Sequence, residues 1–413
     1  MSMYGIIKSG FYRNVMGLFL LGVLFAPSIS HAINTPRLHV NGIWLNDPQG
    51  NKVVLRGVAV VPPTDQVNRG GFDFIAGKVT EPNLYCRVVR VPVSPGSWNA
   101  NSLTQNLKPC VDALTKKGVY VIIDLHYISA YGALDAAVRS FWTAVAPAFK
   151  DYTNVLYEVF NEPTSPGGQS GWETWKTTAQ PWVDLIRTAA PSTPIIVASP
   201  TWCQDTRFAV TSPFKGDNLI YTPHIYPVHK NWGLLFGDPS TKIPVFLSEW
   251  GYQNAGSYGP EVKGTTSVYG KQMKDTLAAH PNINWTSWIY DYSWYPWMID
   301  KNFNFLSGED YQGAFMQAFL SEKKNDDLPG AGTDMNFRIV SKDRDGACDN
   351  RVFSFFGPSF FAGRAASFVW GFGLSVNDGS IVDVLGRRSG QWTKVNFNTL
   401  KVKQSPDHLT GGR

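Results

Sequence analysis

Two glutamates in this 413-residue chain stand where an apolar run gives out. Residues 155–160 lead into Asn161-Glu162-Pro163, and residues 243–247 into Ser248-Glu249-Trp250-Gly251. A carboxylate at the end of a buried strand is costly unless it is hydrogen-bonded or does chemistry. Two such carboxylates aimed at one cleft are what cleavage of a glycosidic bond requires, one to move a proton and one to act as base or nucleophile. Polar groups of suitable types close the neighbouring runs: Arg90-Val91-Pro92, Asp124-Leu125-His126-Tyr127, His224-Ile225-Tyr226 and Trp288-Ile289-Tyr290. Side chains alternate along a strand, so Glu158 shares the facing of Glu162 but lies deeper. A carboxylate at that depth reads as structural, held by Arg56 or Arg90, because a buried charge survives only beside a cation and hydrogen-bond donors. His229 and His280 lack a strand-end placement and are assigned to the scaffold.

The elements that must position these groups are legible as repeats of a β-branched run followed by a mixed apolar and polar stretch. Runs at 53–58, 88–93, 119–126, 155–161, 194–199, 219–226, 243–250 and 283–290 make eight strands. Stretches at 103–117, 136–149, 172–190 and 268–279 are long enough for crossover helices. Eight β-then-α units predict an α/β chain folded as a (β/α)8 TIM barrel, with its active groups at the C-terminal ends of the strands. Before the first strand, residues 39–52 read as a small hairpin around a polar turn.

The ordered set from Leu55-Arg56-Gly57 to Trp288 resembles glycoside hydrolase family 5, the clan A enzymes that include many endo-β-1,4-glucanases. The resemblance covers residues 38 to about 320. It implies that Glu162 is the general acid/base and Glu249 the nucleophile of a retaining double displacement, with the carboxyl groups roughly 5–5.5 Å apart. It implies further that Arg90 and Tyr226 hold Glu249 ionised and that Asn161 binds the sugar 2-hydroxyl. His126 and His224 would bind sugar hydroxyls or the acid itself, and Trp288 would form a stacking floor. The implied substrate is a β-1,4-linked glucan. A β-mannanase or a mixed-linkage glucanase shares the same core residues, and a non-catalytic carbohydrate-binding relative would keep the tryptophan but lose a carboxylate.

Composition removes other classes. The chain contains no His-Glu-x-x-His, Cys-x-x-Cys or Gly-x-Ser-x-Gly string and no phosphate loop, so neither a metal nor another cofactor is expected. The net charge of +5 has no basic stripe with interleaved aromatics, which argues against a nucleic-acid partner. Aromatic residues make up 14% of the chain, with 15 Trp, most of which must be core. Trp98, Trp202, Trp232, Trp294 and Trp297 fall in loops after strands, where each could be platform or packing. Lys8 and Arg13, an apolar stretch over 15–26 and the small-residue ending Ser30-His31-Ala32 read as a secretory signal peptide. A secreted monomer without a membrane anchor after cleavage is expected. Residues 33–323 form the expected catalytic domain and 324–332 a charged, then Pro/Gly-rich linker. Residues 333–413 are a basic, Gly/Phe-rich tail or a small β-rich appendage, with the tail reading favoured. Four cysteines are too few for a disulfide scaffold, and Cys86 and Cys110 are the nearest pair in sequence.

Overall fold

Parallel strands covered on both faces read as continuous apolar runs, and each of the eight central strands is buried along its whole length. The computed structural model describes residues 35–329 and, beyond them, the backbone of Phe337–Lys342, Cys348–Asp349, Ile381–Arg388 and Gln391–Lys394. The central strands are β1 (Arg56–Val60), β2 (Val88–Val93), β3 (Tyr120–Leu125), β4 (Val155–Glu158), β5 (Ile195–Val197), β6 (Leu219–Tyr221), β7 (Phe246–Leu247) and β8 (Asn284–Tyr290). They pair in parallel in the order β6-β5-β4-β3-β2-β1-β8-β7. A parallel bridge between Tyr221 and Val245 joins the two ends, so the sheet closes into the expected barrel. Gly57 is needed where β1 meets β2, since a Cβ there would lie 1.8 Å from the Val88 carbonyl oxygen.

Facing decides the barrel's chemistry. In β2 to β4 the odd-numbered residues Val89, Val91, Val121, Ile123, Val155 and Tyr157 pack outward in the core shared with the helices. The even-numbered residues face inward and change character along each strand: Val88 then Arg90, Ile122 then Asp124, Leu156 then Glu158. Inward residues at the N-terminal end, including Leu55, Val88, Tyr120, Ile122, Leu156, Ile196, Ile220 and Phe246, form one apolar cluster. The helices at 108–116, 135–149, 168–189 and 271–279 surround the barrel close to their expected ranges. Buried tryptophans tie them to strand ends: Trp142 donates to the Val159 carbonyl at 3.0 Å and Trp175 to that of Ala198 at 2.7 Å.

The sequence reading differs from the structure at both ends of the strands. Lys52–Val53 does not begin the barrel. It pairs with Trp44–Asn46, which pairs with His39–Asn41 around Gly42 at φ +60°, giving three antiparallel strands where a hairpin was expected. This small sheet plugs the barrel floor, because Leu38, Leu45 and Val53 complete the apolar cluster inside it. At the opposite end β4, β6 and β7 stop short of their predicted lengths. Glu162–Pro163 pairs with Ile128–Ser129, and His224–Ile225 with Glu249–Trp250, as separate short ladders. Pro223, which has no N–H to donate, lies in the break between β6 and His224.

Residues 324–327 bond back to the barrel floor. Arg56 binds the Asp327 carboxylate at 2.8 Å and the Asp326 carbonyl at 3.0 Å, and Arg87 binds the Lys324 carbonyl. The strands beyond form a four-stranded antiparallel sheet in the order Cys348–Asp349, Phe337–Lys342, Ile381–Arg388, Gln391–Lys394. The signal-peptide reading of residues 1–32 lies outside the described residues. Cys86, Cys110 and Cys203 are free and buried. Among the described residues no helix is long and apolar enough to cross a membrane.

Candidate active site

Where the inward columns turn polar, they converge on Arg90. Its guanidinium is fully buried and grips Glu158 with two bonds, Nε at 2.6 Å and Nη2 at 3.1 Å. Nη1 donates to Glu249 at 2.6 Å, and Nη2 also reaches Asn161 Oδ1 at 2.7 Å and Asp124 at 3.1 Å. One planar cation thereby orients groups from three strand ends, which its rigid fork is suited to do. Glu249 is held from its other side by the Tyr226 hydroxyl, which donates to Oε2 at 2.9 Å. Glu162 is the more open carboxylate, 9% exposed against 4% for Glu249. It meets His224, whose Nδ1 lies 2.8 Å from Glu162 and 3.5 Å from Glu249.

Carboxylate oxygens of Glu162 and Glu249 and a ring nitrogen of His224 all fall within 4.8 Å of one another. Three such donors at this spacing are also what a cation would take. Here both ring nitrogens of His224 are already engaged, Nδ1 by Glu162 and Nε2 by Ser248, so an ion bound to the ring would have to break one of those contacts.

The charges are arranged to keep Glu249 ionised. Burial pushes its carboxyl up, but His224, Arg90 and the Tyr226 hydroxyl outweigh that and hold it below the ordinary value. Glu158 is likewise opposed by burial, yet Arg90 and His224 bring it down to about 2. Burial works against a charged His224, but the carboxylates of Glu249, Glu158 and Glu162 raise it to about 10. Burial and the neighbouring Glu249 carboxylate push the Tyr226 phenol well up, so it remains a donor. Asp124 is raised, chiefly by its complete burial, although Arg90 opposes the shift.

Every residue proposed from the sequence lies in or beside this cluster. Asn161 is buried, with Oδ1 on Arg90 and an amide nitrogen that has no partner. His126 bonds Asp124 at 2.7 Å and stacks on Trp288, centroids 5.2 Å apart and planes 3° from parallel. That stacking covers part of the Trp288 ring, which is only 7% exposed. Of the loop tryptophans, Trp232 is buried and donates to the His229 carbonyl, whereas Trp202 is 48% exposed. Glu158 is held by Arg90, one of the two partners expected; Arg56 turns instead to Asp327. The sequence reading passed over Asp124, Ser248 and Thr222 as site residues. Asp124 shares its facing with His126 two positions on, a signal that was available. Ser248 and Thr222 gave none, because a buried hydroxyl acquires meaning only from the groups folding brings to it.

A closed barrel with a buried carboxylate pair at the C-terminal ends of its strands, one member clamped by arginine and tyrosine, defines a glycoside hydrolase site. The chain belongs to glycosyl hydrolase family 5: the cellulase model of that family matches residues 82–293. An endoglucanase of Clostridium saccharobutylicum is 28% identical over 266 residues, 61% of this chain and 56% of the relative. Endoglucanase N of Pectobacterium atrosepticum is 31% identical over 239 residues, 54% of this chain and 52% of the relative. The chain thus spans about half the length of the curated relatives it matches. A β-glucanase of Saccharophagus degradans superposes with a TM-score of 0.63 at 25% identity, covering 71% of this chain and 95% of that one. The catalytic domain of a Thermobifida fusca endoglucanase, in complex with cellotetraose, shares the fold at a TM-score of 0.59 and 21% identity, over 70% of this chain and 98% of that one.

Proposed function

We propose that this chain is a retaining endo-β-1,4-glucanase, exported by the leader at residues 1–32 and acting as a monomer on a neutral β-glucan. The observation that carries the mechanism is the carboxylate pair, with oxygens of Glu162 and Glu249 within 4.8 Å of each other. That spacing favours direct attack by the second carboxylate over insertion of a water, which needs roughly 6.5–9.5 Å. Glu162 protonates the glycosidic oxygen as Glu249 Oε2 or Oε1 attacks the anomeric carbon, so the leaving sugar departs neutral and a glycosyl-Glu249 ester forms. The Glu162 carboxylate then takes a proton from water, whose oxygen displaces Glu249 and restores both groups. Arg90 and Tyr226 hold Glu249 in its nucleophilic state. The unpartnered amide nitrogen of Asn161 is available to a sugar hydroxyl, and the Trp288 edge and His126 border the cleaved bond. The names of the relatives, endoglucanase in both cases, support the choice of glucan.

The test is reducing-sugar release from carboxymethyl-cellulose, barley β-glucan and galactomannan in parallel. Release from the first two is expected, with the β-anomer formed first by proton NMR. Glu162→Gln should cost on the order of 10²–10⁴-fold in kcat on unactivated substrate, and Glu249→Ala should serve as the blank. Release from galactomannan alone would replace the substrate, and an α-anomer as first product would overturn the mechanism.

A further inference from the structure

We propose that Ser248 is a positioning residue for the acid/base step: its hydroxyl fixes a proton on His224 Nε2, leaving Nδ1 as the ring's exchangeable site, aimed at Glu162. This rests on the roles given above to Glu162 and Glu249. Ser248 is completely buried and sits among three partners. Its Oγ lies 2.8 Å from Glu158 Oε1, 3.0 Å from His224 Nε2 and 2.6 Å from Thr222 Oγ1. A hydroxyl has one proton to give. Arg90 holds Glu158 as a carboxylate, which only accepts, so the serine proton goes there. Were it turned to Nε2 instead, two acceptor oxygens would face each other at 2.8 Å. Ser248 Oγ must therefore accept from His224, and Nε2 must carry a hydrogen.

The consequence appears on the other side of the ring. With Nε2 protonated, the 2.8 Å contact between Nδ1 and Glu162 Oε1 holds one proton, bonded to either atom. The groups facing His224 explain how that proton is released. Glu158, Glu162 and Glu249 surround the ring with negative charge; Arg90 beyond them and His229 nearby oppose it. When Glu249 becomes an ester, one of the charges favouring an imidazolium disappears, and the proton moves from Nδ1 toward Glu162 and the departing oxygen. Without Ser248, neutral His224 could keep its single proton on Nδ1 and face an ionised Glu162, a pairing unable to act as acid. Loss of the serine hydroxyl should thus spare nucleophilic attack and weaken proton donation.

The experiment compares kcat/KM on dinitrophenyl cellobioside, whose leaving group needs no protonation, with that on phenyl cellobioside, whose leaving group does. Ser248→Ala should lose about tenfold on the phenyl substrate, a fraction of the 10²–10⁴-fold a general acid supplies, and about twofold or less on the dinitrophenyl one. The alkaline limb of its phenyl profile should move to lower pH, and Ser248→Thr should restore both readings. Thr222→Val removes a hydroxyl from the same buried cluster without touching His224, and should keep the wild-type ratio between substrates. Should the alanine variant not fold, Ser248→Cys keeps the volume with a poor acceptor and should show the same selective loss. An equal loss on both substrates would reduce Ser248 to packing beside Glu249. A wild-type enzyme inert toward both cellobiosides would instead sink the proposed function.

Discussion

The two ends of one barrel are built from the same strands and have opposite interiors. At the N-terminal end Val88, Ile122 and Leu156 join Leu45 and Val53 in a buried apolar cluster. Two residues further along the same strands, Arg90, Asp124 and Glu158 form a buried ionic network. The two ends contribute unequally to stability. The apolar end contributes favourable burial of about 1.5–3 kcal/mol per large side chain. The charged end contributes little net, since the cost of desolvating its ions rivals their mutual attraction. Its value is orientation: an arginine with its donors committed to Glu158, Glu249 and Asn161 cannot let Glu249 drift.

That contrast can be broken at either end. The largest effect is expected from Glu158→Ala, which leaves Arg90 without its bidentate partner and should cost about 3–5 kcal/mol in urea unfolding. It should also lower kcat in the fraction that remains folded, because Arg90 would be free to turn. Leu156→Ala, two residues back on the same strand, should cost about 2–5 kcal/mol by leaving a cavity, with kcat per folded molecule unchanged. If kcat fell as far there as at Glu158, the two ends would not be separable.

A pH series of thermal melts isolates the charged end. His224 is raised from 6.5 to about 10, so the stability it adds is fully present below pH 6.5 and is lost as pH rises through about 10. Glu158 is lowered from 4.5 to about 2, so its contribution is present above pH 4.5 and is lost as pH falls through about 2. Tm should therefore be highest between these limits and fall toward pH 10, and His224→Gln should flatten the alkaline fall. An equally steep alkaline fall in that variant would assign the loss elsewhere. The smallest effect belongs to the floor's polar edge. Arg56→Ala removes the bonds to Asp326 and Asp327, and since Asp327 is partly exposed the cost should be about 1 kcal/mol, again with kcat unchanged.

Much of this was legible beforehand, for a local reason. Glu162 and Glu249 announce themselves because a carboxylate interrupts an apolar run, and strand facing alone separates Glu158 from the outward Val159. Arg90 could be named as a partner of Glu158 since a buried anion demands a cation. Strand boundaries were less legible. The run at residues 53–58 carries no turn signal, and only the folded chain shows Val53 turning to plug the floor while Arg56 opens β1.

What the amino-acid order determined by itself, then, was the barrel, through eight repeats of pattern, and the two glutamates, through the expense of placing charge at a buried strand's end. The clamp of Arg90 on Glu249 and the place of His224 beside Glu162 were implied by the family resemblance and take their geometry from tertiary structure, which alone shows the contacts of Ser248. Those contacts join positions 24 to 159 residues apart. Hydrogen-bond direction and charge coupling act over a few ångströms, and only the closing of the sheet makes such positions neighbours.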